Sequence, residues 1–166
     1  MISPQFACSS VLAGTVAIQI QGSDDNYFGP FMGGWSFELS SPVQVDALGF
    51  FDKGNDGLFE EHEVGIWDST GANLLTSGTV PAGTAGELEQ SFRFVSVGQV
   101  TLSPDIYVIG GFGGFNPASI DDPMQEHATI ATADSVTFIE NRATNVAVPG
   151  LTYPPDTFSG NCLGSP

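Results

Sequence analysis

The chain alternates. Runs such as Trp35-Ser36-Phe37-Glu38-Leu39 and Ser91-Phe92-Arg93-Phe94-Val95-Ser96-Val97 place apolar and polar residues in turn, and Gly, Pro, Asn or Asp cuts each run short. A period of two lays one side of an extended chain on a core and leaves the other in water. Further strand runs are Gly14 to Gln21, Val43 to Phe51, Glu63 to Trp67, Leu74 to Val80, Gln99 to Leu102, Ile106 to Gly110, His127 to Ala131 and Ser135 to Glu140. Within Val43 to Phe51, the residues Val43, Val45 and Ala47 are expected on one face. From Ala143 on, Pro149, Pro154 and Pro155 predict a surface loop with short edge pieces. No stretch carries the 3.6-residue period of an amphipathic helix. Short strands joined by tight turns predict an all-β fold, an antiparallel β-sandwich of jelly-roll type. The 166 residues suffice for one core and show no linker. The expectation is a single domain over 1–166, with 1–13 as a leader and 14–21 as a strand available for exchange.

One corner of the pattern carries chemistry. Phe50 and Phe51 run into Asp52-Lys53-Gly54-Asn55-Asp56-Gly57-Leu58-Phe59-Glu60-Glu61, and His62-Glu63-Val64-Gly65-Ile66-Trp67 leaves it. Gly54 and Gly57 supply the positive φ of a tight turn. Calcium prefers six to eight oxygens, commonly from a Gly-kinked acidic loop. Against the pattern D-x-[DN]-x-[DN]-G-x5-E, Asp52, Asp56, Gly57 and Glu63 fall in place, whereas Gly54 fails the third position. The flanks read as strands, so this is no EF-hand. The expected calcium ligands are Asp52, Asn55, Asp56, Leu58 and Glu63; the competing reading is a solvated acidic turn. His62 is expected to pack or hydrogen-bond, because a hard oxygen site does not favour imidazole.

Charge narrows the partners. Three Lys+Arg stand against 19 Asp+Glu, a net charge of −16. Phosphate contacts need cations, so nucleic acid is excluded, and so is an anionic membrane surface. No apolar run reaches the roughly 18 residues of a membrane helix, and no signal peptide is visible. Scarce Lys with abundant Gly, Ser, Thr and Asn is typical of exported bacterial β-proteins. The two cysteines, Cys8 and Cys162, lie far apart in sequence. Domain termini are often close in space. A Cys8–Cys162 disulfide would close nearly the whole chain, stabilise by about 4–5 kcal/mol and require an oxidising compartment. The alternative is two unrelated buried thiols.

Catalysis finds little support. Asp24/Asp25, Glu60/Glu61 and Asp121/Asp122 are neighbours in polar stretches, not the spaced pair with one raised pKa that a glycosidase uses. No serine has nucleophile-elbow context, and neither a phosphate loop nor a dinucleotide fingerprint is present. The remaining candidates are the aromatic, Gly-rich loops holding Tyr27, Phe28, Phe31, Phe112 and Phe115. Aromatic faces serve sugars and protein interfaces. They also cap cores.

Gly34-Trp35-Ser36-Phe37, Ala47-Leu48-Gly49-Phe50-Phe51-Asp52, Asp56-Gly57-Leu58, His62 to Asp68, Leu74-Leu75 and Val80-Pro81-Ala82-Gly83-Thr84 form a further pattern. Arg93, Phe94, Tyr107 to Gly110 and Val136 to Phe138 extend it. Over about residues 33–166 the chain resembles the domain found in many bacterial PEP-CTERM proteins. That resemblance implies a β-sandwich, export to the cell surface or exopolysaccharide matrix, and no assigned catalytic residue. Family members continue past Gly164-Ser165-Pro166 into a last strand and a sorting helix. Without that strand, an open sheet edge is expected, and such edges pair with other chains. The functional expectation is an exported, non-enzymatic, calcium-stabilised protein that binds polysaccharide or matrix components. The alternative is a subunit that assembles into an extracellular filament with copies of itself by β-strand exchange.

Overall fold

The computed structural model describes residues 14–22, 25–27, 31–114, 124–126, 129–145 and 150–158. Among them every regular element is a strand: β1 (Ile18–Gly22), β2 (Asp25–Tyr27), β3 (Phe31–Leu39), β4 (Val43–Phe51), β5 (His62–Asp68), β6 (Leu74–Val80), β7 (Glu87–Glu89), β8 (Phe92–Leu102), β9 (Ile106–Phe112), β10 (Met124–Glu126), β11 (Thr129–Thr132), β12 (Val136–Asn145) and β13 (Asp156–Phe158). No helix among the described residues is long and apolar enough to cross a membrane.

Alternation sets the layers. The large sheet runs β13-β12-β3-β9-β5-β6, and the small sheet runs β4-β8-β7. Two ribbons, β1-β11 and β10-β2, complete the set, and the named strands pair antiparallel throughout. Trp35, Phe37 and Leu39 of β3, Val64 and Ile66 of β5 and Tyr107 of β9 project from the large sheet into one core. Leu48, Phe50 and Leu102 meet them from the small sheet, and Ile18 from the β1-β11 ribbon. Ring centroids of Trp35 and Phe37 lie 5.0 Å apart, and those of Phe37 and Tyr107 5.7 Å apart. Two antiparallel sheets closed on a shared apolar layer make this an all-β sandwich. The jelly-roll order expected alongside it is not shown by these sheets.

Several expected boundaries move. β3 begins at Phe31, because the strand continues through Gly33-Gly34, where missing side chains hide the alternation. Ser91 to Val97 and Gln99 to Leu102 are one strand, β8, running through the exposed Gly98. β12 continues to Asn145, past the loop expected from Ala143. β11 covers the end of the expected His127 to Ala131 strand, whose first two residues lie outside the described residues. In β4 the pairing with β8 shifts between Val45 and Ala47. A β-bulge of this kind changes which residues face inward. Val43 and Val45 pack on the core before it, Leu48 and Phe50 after it, so Ala47 does not share the face of Val43 and Val45. The expected exchange strand is used within the chain: Ile18 pairs with Thr132 and Ile20 with Ile130.

The large sheet is also covered on its outer face. Gly34, Gly110 and Gly65 lie side by side across β3, β9 and β5. The segment after Pro149, expected as a surface loop with short edge pieces, lies over this row and ends in the short edge strand β13. A Cβ on Gly65 would stand 2.8 Å from Leu151 Cδ2, and one on Gly110 3.2 Å from Pro154 Cγ. Met32, Trp67 and Phe112 form a second buried cluster there, with Leu151 and Tyr153 against it. The Tyr153 hydroxyl donates to the Ser69 carbonyl at 2.8 Å, and Arg142 Nη1 donates to the Pro155 carbonyl at 3.2 Å.

Candidate functional site

The acidic corner is built around an internal cation. The chain leaves β4 at Asp52, turns through Gly54 (φ 92°), Asn55 (φ 62°) and Gly57 (φ 109°), and enters β5 at His62. Asp52 is fully buried. One of its carboxylate oxygens accepts from Arg93 Nε at 2.7 Å, and both accept from the Gly57 N–H, at 3.3 and 3.1 Å. The rest of the guanidinium ties down the turn: Nη2 donates to the Asn55 carbonyl at 3.2 Å and Nη1 to the Gly86 carbonyl at 3.3 Å. Leu58 is bridged to Gly83 by two backbone hydrogen bonds, of 3.1 and 2.6 Å. A buried carboxylate needs a compensating charge and donors, and Arg93 of β8 supplies both.

The five expected calcium ligands are therefore placed as follows. Asp52 faces Arg93; the Asn55 and Leu58 carbonyls accept from Arg93 and from the Gly83 N–H. Asp56 and Glu63 are exposed, Glu63 standing on β5 opposite Thr79. Among the described residues no group of three or more His, Cys, Asp and Glu side chains gathers as a metal would require. His62 does pack: its ring lies flat on Phe50, centroids 3.8 Å apart and planes within 2°, with Nδ1 3.0 Å from the Phe112 carbonyl oxygen.

Of the expected contact aromatics, Phe31 and Phe112 are buried, at 5% and 7% exposure, in the inner and outer clusters respectively. The large sheet is covered on both faces, so an aromatic ring at its end packs inward and offers no open platform. Tyr27 ends β2, with its side chain outside the description, and Phe28, Phe115, Cys8 and Cys162 lie outside the described residues.

A different feature is concave. The small sheet has three strands against six, and β4 is its edge. Beside β4 a cleft of about 560 Å³ opens between the sheets. Trp35, Phe37 and Leu39 form one wall, Val45 and Leu48 the other, and residues 14–18 run along it. Its lining is apolar apart from Thr15, Gln44, Asp46, Glu89 and Gln99. The volume falls within the usual range for a ligand pocket of roughly 300–1,000 Å³. No described strand pairs with the free side of β4, and a sheet edge of this kind is where a further strand can add. Sequence reasoning named neither the Arg93 pin nor this cleft. The first signal was there: Arg93 is one of only three cations, and it sits in an alternating strand. The second depends on how many strands each sheet receives, which no local pattern states.

The chain matches no protein-family model, no curated protein and no solved structure.

Proposed function

We propose that this protein is an exported, non-catalytic building unit of a cell surface or extracellular matrix, joined to other copies by β-strand addition. One observation carries the reading: the β4 edge, unpaired among the described residues, lies along an apolar cleft. Strand addition uses both features at once. Backbone hydrogen bonds to the edge give affinity, and alternate side chains entering the cleft give specificity. Export is supported by the residue pattern shared with PEP-CTERM domains and by the scarcity of lysine.

Light scattering and electron microscopy of the purified chain test the proposal. Gln44 is exposed on the β4 edge. A charge there obstructs an incoming strand without touching the core. The expected result is ordered polymer from the wild type and monomer from Gln44→Lys at an unchanged melting temperature. A wild type that stays monomeric at all concentrations refutes the proposal.

A further inference from the structure

We propose that the strand added to β4 is supplied by residues 1–13 of a second copy, an inference that rests on the assembly reading above. The first argument is charge. Residues 1–13 contain no Asp, Glu, Lys or Arg, so the whole imbalance of −16 lies in the chain from Gly14 onward. Two such bodies repel each other, and an uncharged segment is the piece that approaches a like-charged neighbour without that penalty.

The second argument is pattern. With the side-chain period of a strand, Ile2, Phe6, Cys8 and Leu12 fall on one side, and Ser3, Gln5 and Ser9 on the other. Pro4 and Ser10 interrupt the stripe, and Met1 and Val11 are the large apolar residues off it. A stripe of this kind fits a cleft walled by Trp35, Phe37 and Leu48, while the polar side faces water.

The third is reach. Thirteen extended residues span roughly 43 Å at about 3.3 Å each, and the nine residues of β4 span about 30 Å. Within one chain, the entry past Gly14 leads straight into β1. Ala17 accepts from the Ala133 N–H at 3.1 Å, and β1 then pairs with β11. That path carries residues 14–18 along the cleft and into the ribbon, and none of the described residues among them pairs with β4.

Two versions of the full chain test the inference, both carrying Cys162→Ser. The first carries Cys8→Ser and Ser9→Cys, which puts its thiol on the outward side of the added strand, the side of the exposed Gln44. The second carries Cys8→Ser and Gln44→Cys, and a tag that separates the mixed product by size. Mixed and mildly oxidised, they should form a disulfide-linked heterodimer, lost when the first also carries Phe6→Asp and Leu12→Asp. Hydrogen exchange on the cysteine-intact chain is the second measurement: amides of residues 43–47 should slow on assembly, and not in the Phe6→Asp, Leu12→Asp variant. If wild-type polymer forms but neither heterodimer nor slowing depends on Phe6 and Leu12, the donor is another segment and this inference falls while the assembly reading stands. A single chain carrying Cys162→Ser, Cys8→Ser, Ser9→Cys and Gln44→Cys that closes only on itself also overturns it. Absence of polymer from the wild type sinks the assembly reading itself.

Discussion

Replacing Arg93 with Met should unfasten the corner between β4 and β5. The side chain keeps similar length and apolar bulk but loses its charge and its contacts to Asp52, Asn55 and Gly86. Asp52, with no exposed surface, would keep only the Gly57 N–H. Removing one partner of a buried ion pair costs about 3–5 kcal/mol, most of it from the stranded charge. In a chain of this size each kcal/mol lowers the melting temperature by roughly 2–4 °C, so the expected drop is about 6–20 °C. The assay is a thermal and urea double-mutant cycle with Arg93→Met, Asp52→Asn and the double variant. Asp52→Asn removes the charge that Arg93 would leave behind. The double variant should therefore recover at least about 2 kcal/mol relative to the sum of the singles. Chelation adds a second arm. Because an internal guanidinium neutralises Asp52, EDTA should leave the wild-type melting curve in place. The reasoning is refuted if Arg93→Met costs under about 1 kcal/mol, or if the cycle is additive. A large EDTA effect would put a bound cation back at this corner.

Two further outcomes are expected. A Cβ on Gly34 would lie 1.9 Å from the Ile109 carbonyl oxygen and 2.7 Å from Gly110 Cα, both backbone. Gly34→Ala should therefore destabilise by about 3 kcal/mol or more in urea unfolding, whereas Gly98→Ala, with nothing within 4 Å of its Cβ, should stay within about 0.5 kcal/mol; equal effects would remove the claim of close strand approach. The Asp68 carboxyl is lowered to about 2 by hydrogen bonds from Thr70 and Asn73. A lowered folded pKa stabilises the fold above the ordinary carboxylate value near 3.8, and that contribution fades as pH falls through about 2. Carboxyl NMR should show Asp68 titrating well below the ordinary carboxylate value near 3.8, and Asp68→Asn should flatten the acid limb of the stability curve; a midpoint near 4 would refute the turn's grip on the carboxylate.

The fold was legible wherever the alternation was uninterrupted. Trp35, Phe37 and Leu39 announce their inward face without any structure, as do the turns at Asp68 to Asn73 and at the acidic corner. Glycine erased the signal elsewhere. Gly33 and Gly34 concealed the first part of β3, and Gly98 split β8 in two on paper. The register shift between β4 and β8 was invisible because nothing in composition marks Asp46 standing against three residues of β8, 97–99. For the site, the sequence picked out Asp52 and the loop around it, and it was right that so many carboxylates require an explanation. What it did not reveal is that Arg93, forty-one residues further along the chain, pairs with Asp52.

The division has a physical cause. Which residues face inward along a strand is a local matter, fixed by a two-residue period, and the sequence alone determined that this chain would build layered antiparallel sheets with a strongly acidic exterior. Which strands become neighbours is settled by burial summed over distant segments. Only the tertiary structure decided that β3, β9 and β5 would align Gly34, Gly110 and Gly65, that Arg93 would reach Asp52, and that three strands would face six and leave β4 bordering an apolar cleft.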